Sequence, residues 1–147
     1  MKRKMHRAIA LLLVVTAALL VFIGLYVDET RRVQETYRTQ FNAALAHTSD
    51  SVASYLDAEG DWELRYRRII CDMSGAASFA FLLKNLTEEQ KVSVNELLSA
   101  LLKYPEQMRE TERLEALKKT VDDLQANLDK GFEEADEIVA GLDLKGH

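Results

Sequence analysis

The sequence predicts an all-α protein: an N-terminal transmembrane helix, then an antiparallel helical bundle of about four helices, the last of them long and coiled-coil-like. Three observations predict this. Residues 8–27 carry no charge, the rest of the chain repeats apolar residues at spacings of three and four, and no stretch alternates as a half-buried strand does. All 24 acidic residues fall in residues 28–147, against 15 of the 19 basic ones, so that portion has a formal charge of −9. The chain is therefore divided into a basic cytoplasmic segment at 1–7, an anchor at 8–27 and an extracytoplasmic domain at 28–147.

The anchor comes first. From Ala8 to Val27 only Thr16 and Gly24 are not apolar. As a helix this run is about 30 Å long, the hydrocarbon thickness of a bilayer. A helix satisfies its own backbone groups where no water is at hand, and Thr16 is expected to bond back to a carbonyl one turn earlier. Lys2, Arg3, Lys4 and Arg7 precede the run, whereas Arg31 and Arg32 follow it behind Asp28 and Glu29. That asymmetry predicts a cytoplasmic N-terminus, with Tyr26 near the outer interface. A cleaved signal peptide has a shorter apolar core, about 7–15 residues, and a small-residue cleavage site close behind it. Ala44-Leu45-Ala46 lies too far downstream, and no cysteine follows the run as a lipobox requires. A retained signal-anchor is the expectation.

The outer helices follow in order. Val33, Tyr37, Phe41, Ala44 or Leu45, Thr48, Val52 and Tyr55 form one face of a helix continuous with the anchor and ending near Leu56. Asp57 to Asp61 reads as a turn, with Asp61 as N-cap. A second helix is expected from Trp62 to Lys84, its stripe built from Trp62, Tyr66, Ile69, Ile70, Met73, Ala77, Ala80 and Phe81 and widened by Phe79, Leu82 and Leu83. Gly75, beside Ala76 and Ala77, points to a close helix neighbour. Thr87-Glu88-Glu89-Gln90 fits a capping box opening a third helix, which buries Val94, Leu97, Leu98, Leu101 and Leu102. Pro105 suits the first turn of a fourth helix running from Glu106 to Leu142. Leu114, Leu117, Val121, Leu124, Leu128, Gly131, Ala135, Ile138 and Leu142 mark a seam along it. At about 55 Å it outruns the third helix, so either it overhangs the bundle or it breaks near Gly131.

Chemistry-bearing residues are sparse. His6 lies in the basic start, His47 on the first outer helix and His147 at the terminus. His47, Ser49, Asp50 and Ser51 are too close in sequence to assemble a triad, because neighbouring helical positions point apart, and a solvated face is expected. The run Glu133-Glu134-Ala135-Asp136-Glu137 lacks the oxygen spacing of a calcium loop, and one cysteine with no paired histidines makes no metal site. Cys71, next to Ile69, Ile70 and Met73, is expected in the core. Arg65, Arg67 and Arg68 form the dense basic cluster of the outer domain, with bundle carboxylates as expected partners. Nucleic-acid binding needs a wider positive surface than this acidic domain offers. Asn85-Leu86-Thr87 matches a glycosylation sequon, but Thr87 already serves as a cap. Tyr37, Phe41, Tyr55, Trp62 and Tyr66 have the spacing of core aromatics rather than of a ligand cavity.

These readings point away from catalysis, with no catalytic, cofactor-binding or metal-binding residue assigned. The expected function is a membrane-anchored interaction or scaffold module that meets the bilayer through residues 8–27. Its expected partner is a membrane or extracytoplasmic protein or a second copy of itself. The alternative is a sensory or small-ligand-binding bundle working through a membrane partner. The layout of anchor plus outer bundle resembles the periplasmic portion of bacterial receptors. Tyr37-Arg38-Thr39-Gln40-Phe41, with Trp62, resembles the N-terminal helical region of the YpeB family of spore germination proteins, over about half the chain. Neither resemblance implies a role for any residue here.

Overall fold

A single uninterrupted helix, α1 (Lys2–Leu56), carries both the apolar run and the first periodic face. The computed structural model describes residues 2–143, all of whose regular structure is helical; His147 lies outside them. Two compact units are present, Met1–Thr36 and Tyr37–His147. In the first, every described side chain from Ile9 to Glu29 is exposed, and the helix there is long and apolar enough to cross a membrane. Thr16 Oγ1 donates to the Leu12 carbonyl at 2.9 Å, the back-bond the sequence predicts. Thr30 does the same to Tyr26 at 2.8 Å.

In the second unit, α1 buries Phe41, Leu45, Thr48, Val52 and Tyr55, five of the positions its spacing selects. Thr48 satisfies its hydroxyl on the Ala44 carbonyl at 2.8 Å, so this polar residue sits in the core without an orphaned donor. Next comes α2 (Trp62–Leu82), which contributes Tyr66, Ile69, Met73, Ala76, Ala77 and Ala80 to the core. Gly75 faces Ala44: a Cβ on it would lie 3.6 Å from the Ala44 Cβ, an ordinary contact. The small residues therefore do bring the helices close, and an alanine also fits. Asp61 occupies the N-cap position, but in the left-handed region at φ 58°, and its side chain makes no capping hydrogen bond. Asp61 thus stands at the N-cap without the side-chain bond expected of it, which corrects that reading.

The third helix, α3 (Glu88–Lys103), begins as expected. Thr87 Oγ1 accepts from the Gln90 backbone N–H at 3.2 Å, and Gln90 Oε1 accepts from the Thr87 N–H at 2.9 Å. Val94, Leu97, Ala100 and Leu101 are buried. Trp62, Phe81, Leu82 and Leu102, expected on buried stripes, are exposed. The first three sit at the ends of α2, and the chain turns in at the buried Leu83 instead. Leu102 lies at the edge of the narrow face that α3 buries.

The fourth helix is corrected in part: it breaks next to Gly131, one of the two alternatives its length left open, and also breaks earlier, between Met108 and Thr111. Residues 105–140 form three elements: α4 (Pro105–Met108), α5 (Thr111–Ala126) and α6 (Phe132–Ala140). Pro105 opens α4 from its first turn, where a missing N–H costs nothing. The break before α6 has a local cause. Asn127 is extended, at φ −153°, its Oδ1 accepts from the Asp129 N–H at 3.0 Å, and Gly131 adopts φ +86°. The chain can then bring α6 against α3 and α5, burying Leu128, Phe132 and Ala135. A continuous helix would leave that apolar set without α3. Asp143 and Gln107 exchange two hydrogen bonds, of 2.9 and 3.0 Å, and tie the end of α6 back to α4.

Glycine substitutions test this packing. Gly75→Ala is expected to raise stability by about 1 kcal/mol, through helix propensity alone. At Gly131 a Cβ would stand 2.8 Å from Leu124 Cγ and 2.9 Å from the Thr120 carbonyl oxygen. Gly131→Ala should therefore cost about 2–4 kcal/mol, from backbone strain and overpacking together. Urea unfolding of the detergent-solubilised chain measures both signs.

Candidate functional site

A surface cleft opens where the last turns of α1 meet the first turns of α2. It encloses about 520 Å³. Ser51 and Ser54 line it from α1, Asp61 from the connecting turn, and Leu64, Arg65, Arg67, Arg68 and Cys71 from α2. All three arginines of the sequence-recognised cluster thus meet at one site, because positions 64, 65, 67, 68 and 71 share one side of a helix.

Their roles differ. Arg65 is structural: its Nη1 donates to the Ser54 carbonyl at 3.0 Å and to Ser54 Oγ at 2.5 Å, and its Nε donates to the Gly60 carbonyl at 3.1 Å. It fastens the end of α1 and the turn to α2. Its partners are not carboxylates, contrary to expectation; the turn leaves carbonyls unpaired by the helix ladder, and a guanidinium fork fits them. Arg67 reaches Glu63 Oε1 at 3.0 Å, on an exposed helix face. Arg68 is exposed and has no hydrogen-bond or ion-pair partner among the described residues. Cys71 is exposed in the cleft wall, not buried as its apolar neighbours suggest. Ile69 and Met73 turn inward while Cys71 lies on the opposite face.

Behind the cleft an aromatic cluster holds the corner. The Tyr55 ring packs edge-to-face on Trp62 at 5.3 Å and on Tyr66 at 6.1 Å. The Arg109 guanidinium lies 4.5 Å above the Tyr66 ring, and Arg109 also bridges to Glu63. Two arginines therefore converge on one carboxylate. The hydrogen bond from Arg109, then the one from Arg67, hold Glu63 below the usual carboxylate range. Burial pushes the Tyr66 hydroxyl above its ordinary value, and that hydroxyl donates to the Leu101 carbonyl at 2.9 Å. Arg109 was not singled out in the sequence. It lies 46 residues from Glu63, and no local spacing links them.

The serine–histidine stretch separates as helical geometry requires. His47 and Asp50 are exposed. Ser49 and Ser51, expected on a solvated face, are buried, because α5 and α2 each present a carboxylate to them. Ser49 Oγ donates to Asp122 Oδ1 at 2.6 Å, and Ser51 Oγ donates to Asp72 Oδ2 at 2.5 Å. These are packing contacts between helices, invisible to a local reading. Tyr37 is half-buried and Phe41 fully buried. Asn85 of the sequon is exposed, and Glu133, Asp136 and Glu137 are exposed on α6.

No protein-family model, curated protein or solved structure matches this chain.

Asp122 offers a pH test. Burial raises its carboxyl, but hydrogen bonds from Lys118 and Ser49 outweigh burial and leave it below the ordinary value. A lowered folded-state value adds stability above the unfolded carboxylate range and loses it as pH falls through the folded value. The Asp122 side chain is 44% exposed, so solvent screens the pair, and Asp122→Asn should destabilise by only about 0.5–1 kcal/mol at pH 7. The gap to the parent chain should begin to narrow at about pH 4, where the unfolded Asp starts to protonate, and close only once pH falls below the lower, folded-state value. Thermal unfolding of both chains across pH 3–7 checks this.

Proposed function

We propose that the chain is a single-pass membrane protein. Residues 1–7 are its cytoplasmic start, 8–27 a retained signal-anchor, and 28–147 an extracytoplasmic antiparallel helical bundle that acts as a non-enzymatic interaction or scaffold module. The observation that carries the reading is the exposure of every described side chain from Ile9 to Val27 on a helix of this length. Each Leu, Ile, Val or Phe left in water forgoes about 1.5–3 kcal/mol of burial, and 13 of the 19 residues from Ile9 to Val27 are of these types. A bilayer supplies the missing apolar medium along the full run. Four basic residues before the run and two after it favour the N-terminus inside. The interaction role is supported by exposed Trp62 and Leu64 beside an arginine-lined cleft, since aromatic and arginine side chains are the common anchors of protein interfaces.

A second reading is favoured by the unbroken α1. One helix shared by the apolar run and the core could carry a ligand-induced shift to a membrane partner, as in a sensory bundle.

The exposed Cys71 is the sole cysteine of the chain and so tests topology without engineering. A membrane-impermeant maleimide is expected to label it in intact cells. Labelling only after permeabilisation would reverse the orientation. Crosslinking in the same membranes is expected to give a reproducible protein neighbour or a homo-oligomer. Monomer alone would move the weight to the ligand-binding reading.

A further inference from the structure

The α1–α2 cleft is a positive spot on a negative domain. Arg65, Arg67 and Arg68 face a single carboxylate on its lining, Asp61, whereas residues 28–147 hold 24 acidic side chains against 15 basic. Charge of the minority sign, gathered at a concave site, marks where an oppositely charged partner is drawn. Guanidiniums also bind carboxylates in a planar fork rather than as point charges.

We propose that this cleft docks an acidic segment of a partner polypeptide, with an apolar side chain next to its carboxylates. Arg68 supplies an unused fork. Arg65 spends only Nε and Nη1 on its protein contacts, leaving Nη2 for a ligand. Arg67 shares Glu63 with Arg109, so it is released from that carboxylate at small cost. Leu64, 70% exposed on the same wall, is the seat for the apolar side chain. The shape argues for a polypeptide. Leu64, Arg67, Arg68 and Cys71 are all solvent-exposed along one helix face, a strip that a chain can lie along. A small molecule needs a site that wraps most of its surface. The inference rests on the interaction reading above for its type of partner, and on the cleft itself for the chemistry.

The test uses the full chain in detergent and a fluorescein-labelled peptide of alternating glutamate and leucine, followed by anisotropy up to about 1 mM, the range of weak contacts. Saturable binding is expected, and Arg68→Glu should weaken it at least tenfold. Arg68 has no partner to lose among the described residues, so this variant should keep the parent helix content, and circular dichroism verifies that. Lys119→Glu makes the same charge change on α5, where Lys119 lines a different cleft, and should leave binding within twofold. Bound peptide should also slow maleimide labelling of Cys71 at least threefold. No saturable binding, equal loss in both variants, or unchanged Cys71 labelling overturns the proposal. So does competition, dependent on Arg68, by phosphatidylglycerol added to the detergent micelles, which would assign the cleft to a lipid surface. External labelling of Cys71 without peptide binding would leave the tethered domain standing and remove this cleft as its docking site.

Discussion

One helix carries two incompatible surfaces, and the rest of the structure follows from it. Along residues 9–29 α1 is exposed on every side, and from Phe41 to Tyr55 it is buried along a single stripe. Only a helix keeps its backbone hydrogen bonds internal in both settings, so no break is forced where the surface changes. Thr16, Thr30, Thr36 and Thr48 all return their hydroxyls to the carbonyl four residues back, which lets polar side chains ride on the helix at little cost. On the proposed reading the bilayer answers the first surface, and α2 to α6 answer the second.

The second surface sets what the remaining helices must do. The core stripe of α1 is covered by elements that are short and turn often. Their junctions are held by specific polar contacts: Arg65 on the α1 end, the Asp122 and Asp72 carboxylates on Ser49 and Ser51, Arg109 on Glu63 and Tyr66. The Arg65, Ser49 and Ser51 contacts are part-buried and the Arg109–Glu63 pair is exposed; together they fix how the helices meet, and the exposed pair adds little energy of its own. The same contacts shape the cleft. Arg65 closes its floor, and the inward turn of Ile69 and Met73 leaves Arg68 and Cys71 on its open wall.

Features that depend on a few adjacent residues were legible in the sequence. The Thr87 capping box, the Pro105 start, the Thr16 back-bond and the face of α1 are local, and each appears at the expected residues. A close approach at Gly75 was also legible from its small neighbours, although its partner, Ala44, was not. What escaped was set by distant partners. A break near Gly131 was one of two alternatives that helix length left open, and the seam's spacing could not choose between them, because Leu128 and Ala135 are buried from the linking turn and a separate helix, α6. Apolar neighbours suggested burial for Cys71, but they lie on the opposite face of α2. The buried serines and Arg109 depended on carboxylates 21 to 73 residues away. The site was half legible: the arginine cluster was visible, but its concavity and the free state of Arg68 were not.

The central claim is that residues 8–27 remain in the bilayer as part of the mature chain. The most direct measurement is the intact mass of the protein recovered from membranes washed with alkaline carbonate. The account predicts full-length protein in the pellet. Protein released to the supernatant, or a mass showing cleavage behind the apolar run, would contradict it.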